Sequence, residues 1–430
     1  MLRRLLASMR GPARAAAPPA APAAPADPMQ EARAAYRAGR HADVVRINGA
    51  LPASQARSLE DAMELAHSLQ YLGRFADAAT IYETLGRAVE SGGTADQQGL
   101  FALHLGLARL RQGDFSGADV AFRKVLATAP ERYSARRIAA FPGIMSRPFP
   151  LAREPLPPMP ASTPRPPAAL DVVYFFTAPD DPDRADEYWR LFERSLASAR
   201  EVYPGARLVL LTDETTGIPG SVRFDLVLRE PMPRDELMPN RFRAIRAYLA
   251  HAAAGGGVDA ALMTESDCIM VRDMRDLLSR GAALYLTYRS DYVREAEDLE
   301  PCNTGVMLLD LSQPGALGAF FDACALALIA LEQRDDVREA YDRPIRQWRG
   351  DQLAVGAVVD WRTFQEHVLA RRTDRLSIAG CAVGFLPSEF YNFAPPQGAD
   401  PASLHDRYVL HYKGSRKDIL LRDGPAAAQR

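Results

Sequence analysis

Apolar positions along the chain follow two rhythms. From residue 29 to 130 they recur at helical spacing, and three segments align with one another: YRAGRHADVVRI from Tyr36, YLGRFADAATIY from Tyr71 and LRQGDFSGADVAF from Leu110. Gly39 and Gly73 are 34 residues apart, and Gly73 and Gly113 are 40 apart. Each glycine falls where one helix should turn into the next, a position that favours a residue tolerant of positive φ. The longer second interval predicts an extended loop around Ser91–Asp96. Ala118, Phe122 and Pro130 continue the third unit.

From Asp171 the rhythm changes. DVVYFFT (171–177) is a continuous apolar run, as expected of a parallel strand covered on both faces. Ala185–Tyr203 carries Tyr188, Leu191, Phe192, Leu196 and Ala199 on one helical face, and Pro204-Gly205 stops it. RLVLLT (207–212) predicts a second strand, Asn240–His251 a helix leaving through Gly255–Gly257, and Ala260–Thr264 a third strand. Alternation of strand and helix predicts an α/β domain with a mostly parallel sheet flanked by helices, ligands meeting it at the carboxyl ends of its strands.

Between the two regions, residues 131–170 hold ten prolines from Pro142 to Pro167. Such density predicts a semi-rigid linker, and a chain starting near Ala161 is expected to fold alone. Residues 1–28 are Ala/Pro-rich with no acid before Asp27, which predicts a disordered tail. A membrane-surface contact through Arg3, Arg4 and Arg10 is the alternative. Residues 421–430 form a second tail. The division is therefore 1–28, 29–130, 131–170, 171–420 and 421–430.

Composition narrows the function. The chain has 430 residues, is 25% charged and carries a net charge of −2, so no bulk positive field points to nucleic acid. Its four cysteines lie far apart and form no CxxC pair, which fits a reducing, cytoplasmic compartment and argues against a zinc ribbon. The longest apolar run, Gly318–Leu331, is short for a bilayer span and contains Asp322.

Candidate chemistry centres on DAALMTESDCIMV (259–271). Residues two apart on an extended chain point the same way, so Glu265 and Asp267 converge at a strand end. Two like charges between apolar runs are costly unless a cation joins them, and carboxylate oxygens suit Mg²⁺ or Mn²⁺. Three stretches accompany the acids: CNTGVMLLDL (302–311), a strand; RGDQLAV (349–355), with Asp351 and Gln352 at the start of a helix Gln352–Val359; and YVLHYKGSRK (408–417), a short strand ending at His411.

In this order the motifs resemble the retaining, metal-dependent glycosyltransferases of family 8, relatives of glycogenin and of bacterial lipopolysaccharide glycosyltransferases. The marks are Glu265-Ser266-Asp267, Asn303-Thr304-Gly305-Val306, Asp351-Gln352, and His411, Gly414 and Lys417 at the spacing His-x-x-Gly-x-x-Lys. The resemblance covers about 171–420. It implies the GT-A nucleotide-diphospho-sugar transferase fold, with the repeats resembling a tetratricopeptide-like domain that serves a protein partner or self-association. It implies transfer of a hexose from a UDP-sugar to a glycan or protein acceptor. Glu265, Asp267 and His411 would hold Mn²⁺ or Mg²⁺, and Lys417 and Gly414 would meet the diphosphate. Arg241 or Arg243 would touch the same charge, and Asn303 and Gly305 would lie on the donor. Thr177 and Ala178 would meet the nucleoside. Gln352 would stabilise the anomeric centre, and Asp351 is the one other carboxylate placed for catalysis. Two departures stand out: Glu265 replaces the usual first Asp, and Lys417 is followed by Asp418-Ile419 rather than Pro-Trp. The alternative function is a repeat scaffold whose sugar-nucleotide domain has lost catalysis.

Overall fold

A computed structural model describes residues 27–51, 58–132, 134–147, 149–161, 169–255, 257–289, 299–395 and 404–422. The expected N-terminal tail lies outside these residues except for Asp27 and Pro28, and the expected C-terminal tail except for its first two. The chain divides into two compact units, Met1–Leu72 and Gly73–Arg430.

The first unit is helical: Pro28–Arg37, His41–Ala50 and Leu59–Tyr71. Asp27 caps the first helix through Met29 N, with proline in its first turn, where a missing N–H costs nothing. Ser58 and Asp61 form a capping box on the third, and Arg33 donates to the same Asp61 carboxylate at 2.6 Å. Ala32, Ala35, Val44 and Ile47 make the small core. Gly39, Gly73 and Gly113 all have positive φ, and after each a helix starts two residues later.

The second unit begins with Phe75–Glu90, Ala95–Arg111, Phe115–Thr128 and Ala135–Met145. The last of these departs from expectation, since it lies inside the predicted linker. Its Ile138, Phe141 and Ile144 are fully buried, in one apolar cluster with Leu110, Phe122, Trp361 and the sheet residues Val209 and Met263. The strand β1 (Arg153–Pro155) follows and pairs antiparallel with β9 (Arg375–Ile378). Proline density misled here for a physical reason. An edge strand tolerates proline because half of its N–H groups have no ladder partner, and the packing is carried by the large apolar side chains between the prolines.

The remaining strands are β2 (Leu170–Phe175), β3 (Arg207–Asp213), β4 (Leu226–Glu230), β5 (Ala260–Thr264), β6 (Cys268–Met270), β7 (Leu284–Tyr288), β8 (Cys302–Asp310), β10 (Cys381–Pro387) and β11 (Val409–His411). Nine form one sheet in the order β1-β9-β10-β7-β8-β5-β2-β3-β4. Only β8 and β9 run against the other seven. The sheet is thus mixed and mostly parallel. Successive residues divide between its faces: Val173, Val209 and Met263 join one apolar cluster, while Val172, Tyr174, Leu210 and Leu262 join another. Burial on both faces explains the unbroken apolar run at 171–176.

The helix Pro314–Glu332 has the length and apolarity of a membrane span, longer than its sequence suggested, but half of its apolar window is buried within the fold. Phe320, Phe321, Cys324 and Leu328 pack into the core. All four cysteines are buried free thiols.

Candidate functional site

The sheet brings the acids to their partners. Strand β5 ends at Thr264, a turn closed by Cys268 N to Glu265 O follows, and β6 starts at once. Strand β11 pairs antiparallel with β6 so that His411 faces Cys268, and Tyr412 N donates to Asp267 O at 2.9 Å. A residue 144 positions later in sequence is thereby placed beside the acid pair. His411 Nε2 lies 3.3 Å from Glu265 Oε2 and 3.3 Å from Asp267 Oδ1. Lys417 Nζ is 3.3 Å from Asp267 Oδ2 and sits over the Tyr188 ring.

Arg241 spans the other side of the pair. From the helix Leu237–Gly255 its guanidinium donates to Glu265 Oε1 at 3.1 Å, to Asp351 Oδ2 at 2.8 Å and to the Thr304 carbonyl at 2.7 Å. Thr304 Oγ1 donates to the same Asp351 oxygen at 2.6 Å. Asp351 and Gln352 open the helix Gly350–Val359, and Arg289 Nη2 donates to Gln352 Oε1 at 2.9 Å.

The charges tune one another. Burial alone would raise the Glu265 pKa, but the His411 hydrogen bond and the Arg241 charge hold it well below the carboxylate range. Asp267 is lowered against the same burial penalty by His411 and Lys417. Burial would lower His411, yet Asp267 and Glu265 push it up to about 9. Three acidic side chains (Glu265, Asp267 and Asp351) thus face three basic ones (Arg241, His411 and Lys417).

The donor set suits a hard divalent cation. His411 Nδ1–H donates to Asn392 Oδ1 at 2.9 Å, and the Asn392 amide is oriented by Nδ2 donating to Thr287 Oγ1 at 3.1 Å. That arrangement fixes the ring so that Nε2 faces the two carboxylates, the usual support for a ligating imidazole. The ligating atoms of Asp267, His411 and Cys268 lie within 4.8 Å of one another. Glu265 is outside that trio, although it touches the same His411 nitrogen. Burial pushes the Cys268 thiol well up, and a soft sulfur suits a hard ion less than carboxylate oxygen does.

Around these groups opens a cleft of about 1370 Å³. Of the residues expected from sequence, Thr177, Ala178, Arg241, Glu265, Asp267, Asn303, Asp351, Gln352, His411, Gly414 and Lys417 line it. Two do not. Arg243 is exposed and pairs with Glu236, because on a helix it points away from Arg241. Gly305 lies behind His411: a Cβ there would come within 2.9 Å of His411 Cε1 and of Asn303 Oδ1, so this glycine makes room for the imidazole. The mouth beside Thr177 is fixed by Ala178 N donating to Thr216 Oγ1 at 3.0 Å, with Thr216 held in turn by Asp213.

Sequence reasoning missed Arg289 and Asn392, which sit in no motif, and gave no site role to Thr304, inside the Asn303–Val306 motif, or to Tyr188, on an apolar helix face. It also missed the cleft's charge. Nine arginines and lysines line it against five acids, in a chain whose net charge is −2.

No protein-family model and no curated protein matches the chain. Among solved structures it is similar to the crystal structure of a glycosyltransferase involved in the glycosylation of the major capsid of PBCV-1, at 12% identity and a TM-score of 0.33, covering 59% of this chain and 99% of that one.

Proposed function

We propose that this chain is a metal-dependent glycosyltransferase that moves a hexose from a UDP-sugar to an acceptor, with retention as its family 8 resemblance implies. The observation that carries the reading is convergence. Four segments distant in sequence (265–267, Asn303, 351–352 and 411–417) contribute polar side chains to one cation-rich cleft.

In this reading Glu265, Asp267 and His411 hold Mn²⁺ or Mg²⁺. The ion, when bound, neutralises charge on the departing diphosphate. Lys417 meets the same diphosphate as a point charge, and Gly414, whose φ is +62°, turns the backbone toward it. Thr177 and Ala178 border the nucleoside. The carboxylate of Asp351 is engaged by Arg241 and Thr304, so Asp351 anchors Arg241. The Gln352 amide, oriented by Arg289, lies at the sugar end of the cleft as a dipole for the charge that develops on the ring. The helical repeats would recruit a partner or acceptor, or join two copies.

The test is a donor screen. The full chain with Mn²⁺ and a panel of nucleotide sugars should release nucleotide, chelator should abolish the release, and Mn²⁺ should restore it. Asp267→Ala should weaken donor binding. Gln352→Ala should hold donor affinity within a few-fold and lower turnover roughly tenfold, about 1.4 kcal/mol of barrier. Release that persists in chelator would sink the metal role. UDP binding with no turnover on any donor would favour the scaffold alternative.

A further inference from the structure

One aromatic side chain in the cleft has no role in the reading above. Trp348 lines it with 56% of its surface exposed, the one aromatic among the exposed large apolar side chains of the described residues. The other two tryptophans, Trp189 and Trp361, are buried. Trp348 stands on a loop that is tied down. The Arg346 carbonyl accepts from Met238 N at 2.8 Å, Arg346 pairs with Glu332 at 2.7 Å, and Ile345 is buried beneath. Gly350 N donates to Ile345 O, and a Cβ on Gly350 would run into that carbonyl and Leu328. Arg349 holds φ +65°. The indole is therefore presented by a rigid turn just before Asp351 and Gln352. Arg343, five residues earlier in the sequence, is exposed, lines the same cleft and has no ion-pair partner among the described residues.

An exposed aromatic face is costly to leave in water and suits the C–H face of a sugar ring, which has an apolar face and a polar rim. A guanidinium in the same cleft, with no ion-pair partner among the described residues, suits a carboxylate or phosphate. We infer that Trp348 and Arg343 form the acceptor subsite and that the acceptor is a carbohydrate bearing an anionic group. This rests on the transferase reading above, because the word acceptor presupposes a donor.

Trp348 supplies its own reporter, since it is the one exposed tryptophan of three. The full chain is titrated with maltose, with a uronic-acid disaccharide and with a disaccharide phosphate while indole emission is followed. Nucleotide release from UDP-sugars is measured beside it. Expected are saturable emission changes, with at least one anionic sugar binding about fivefold tighter than maltose and an advantage that shrinks at high salt. Arg343→Ala should remove that advantage and keep the maltose response. Trp348→Ala, followed by calorimetry, should lose binding of all three. If no sugar alters the emission while nucleotide release proceeds, the carbohydrate subsite is overturned and the transferase reading stands. If maltose binds as tightly as both anionic sugars, the anionic character is overturned. If sugars bind but no nucleotide is bound or released, the transferase reading falls and the acceptor role with it.

Discussion

Replacing Arg241 with methionine tests whether the floor of the cleft is held by its ion network. Arg241 is 8% exposed and Asp351 3%. The substitution removes donors to Glu265, Asp351 and the Thr304 carbonyl at once. Glu265 is the lesser loss, since it is partly solvated and still meets His411. Asp351 is left as a buried carboxylate that still accepts from Thr304 Oγ1. Breaking a buried pair from one side costs about 3–5 kcal/mol, most of it the stranded charge. Arg241→Met should therefore lower the unfolding free energy of the Gly73–Arg430 unit by that amount in urea titrations at neutral pH. Adding Asp351→Asn removes the stranded charge while keeping an oxygen for Thr304, and should return about 2 kcal/mol, a coupling in the range found for contacting residues. If Arg241→Met costs less than about 1 kcal/mol, or the double variant is no more stable than the single, the network does not hold the floor.

The other predictions concern pH, truncation and ring orientation. His104 is buried against Tyr82, and burial lowers its pKa from 6.5 to about 4. The unfolded chain takes up a proton that the folded one refuses, so the penalty is absent above about pH 6.5 and grows by roughly 1.4 kcal/mol per pH unit until His104 itself protonates near pH 4. Urea midpoints should fall across that window, and His104→Phe should flatten the fall; an unchanged slope would clear His104. A chain beginning at Ala161 loses β1, Phe141 and Arg153, and should show no cooperative urea transition, whereas a folded product would restore the linker picture. Asn392→Ala frees His411 Nδ1 and should weaken Mn²⁺ binding about 10–100-fold by calorimetry; unchanged affinity would remove His411 from the ligand set.

Periodicity located the central strands well because they are buried on both faces. Ala260–Thr264 matches β5 residue for residue, and 207–212 falls one short of β3. Helix starts were read late. Pro182 at the first turn under an Asp181 cap and Pro239 in the first turn of Leu237–Gly255 look like breaks, yet proline costs no hydrogen bond there. The acids, His411 and Lys417 were legible as motifs, since their spacing is local. Asn392 was not: it reaches His411 through a bridge between Phe393 and Leu410, and long-range registry leaves no short-range trace. Arg241 and Arg243 were indistinguishable in sequence because only packing decides which face of a helix is inside. The proline-rich segment was misjudged because Phe141 and Ile144 signal a core while their proline neighbours signal a spacer. Arg153 shows what the segment does: it donates to the Val358 carbonyl at 2.7 Å and to Ala357, closing the end of the helix that carries Gln352.

The pairing of β6 with β11 sets an order of events at the ribosome. Asp267 is made 144 residues before His411. At roughly 5–20 residues per second, that is about 7–30 s during which the acid pair has emerged or is emerging without the imidazole and ammonium that balance it. Arg241 is already present, so Glu265 has a partner early and Asp267 does not. The nascent β5–β6 corner is thus an acidic, unfinished edge, and its closure waits for the strand that brings His411.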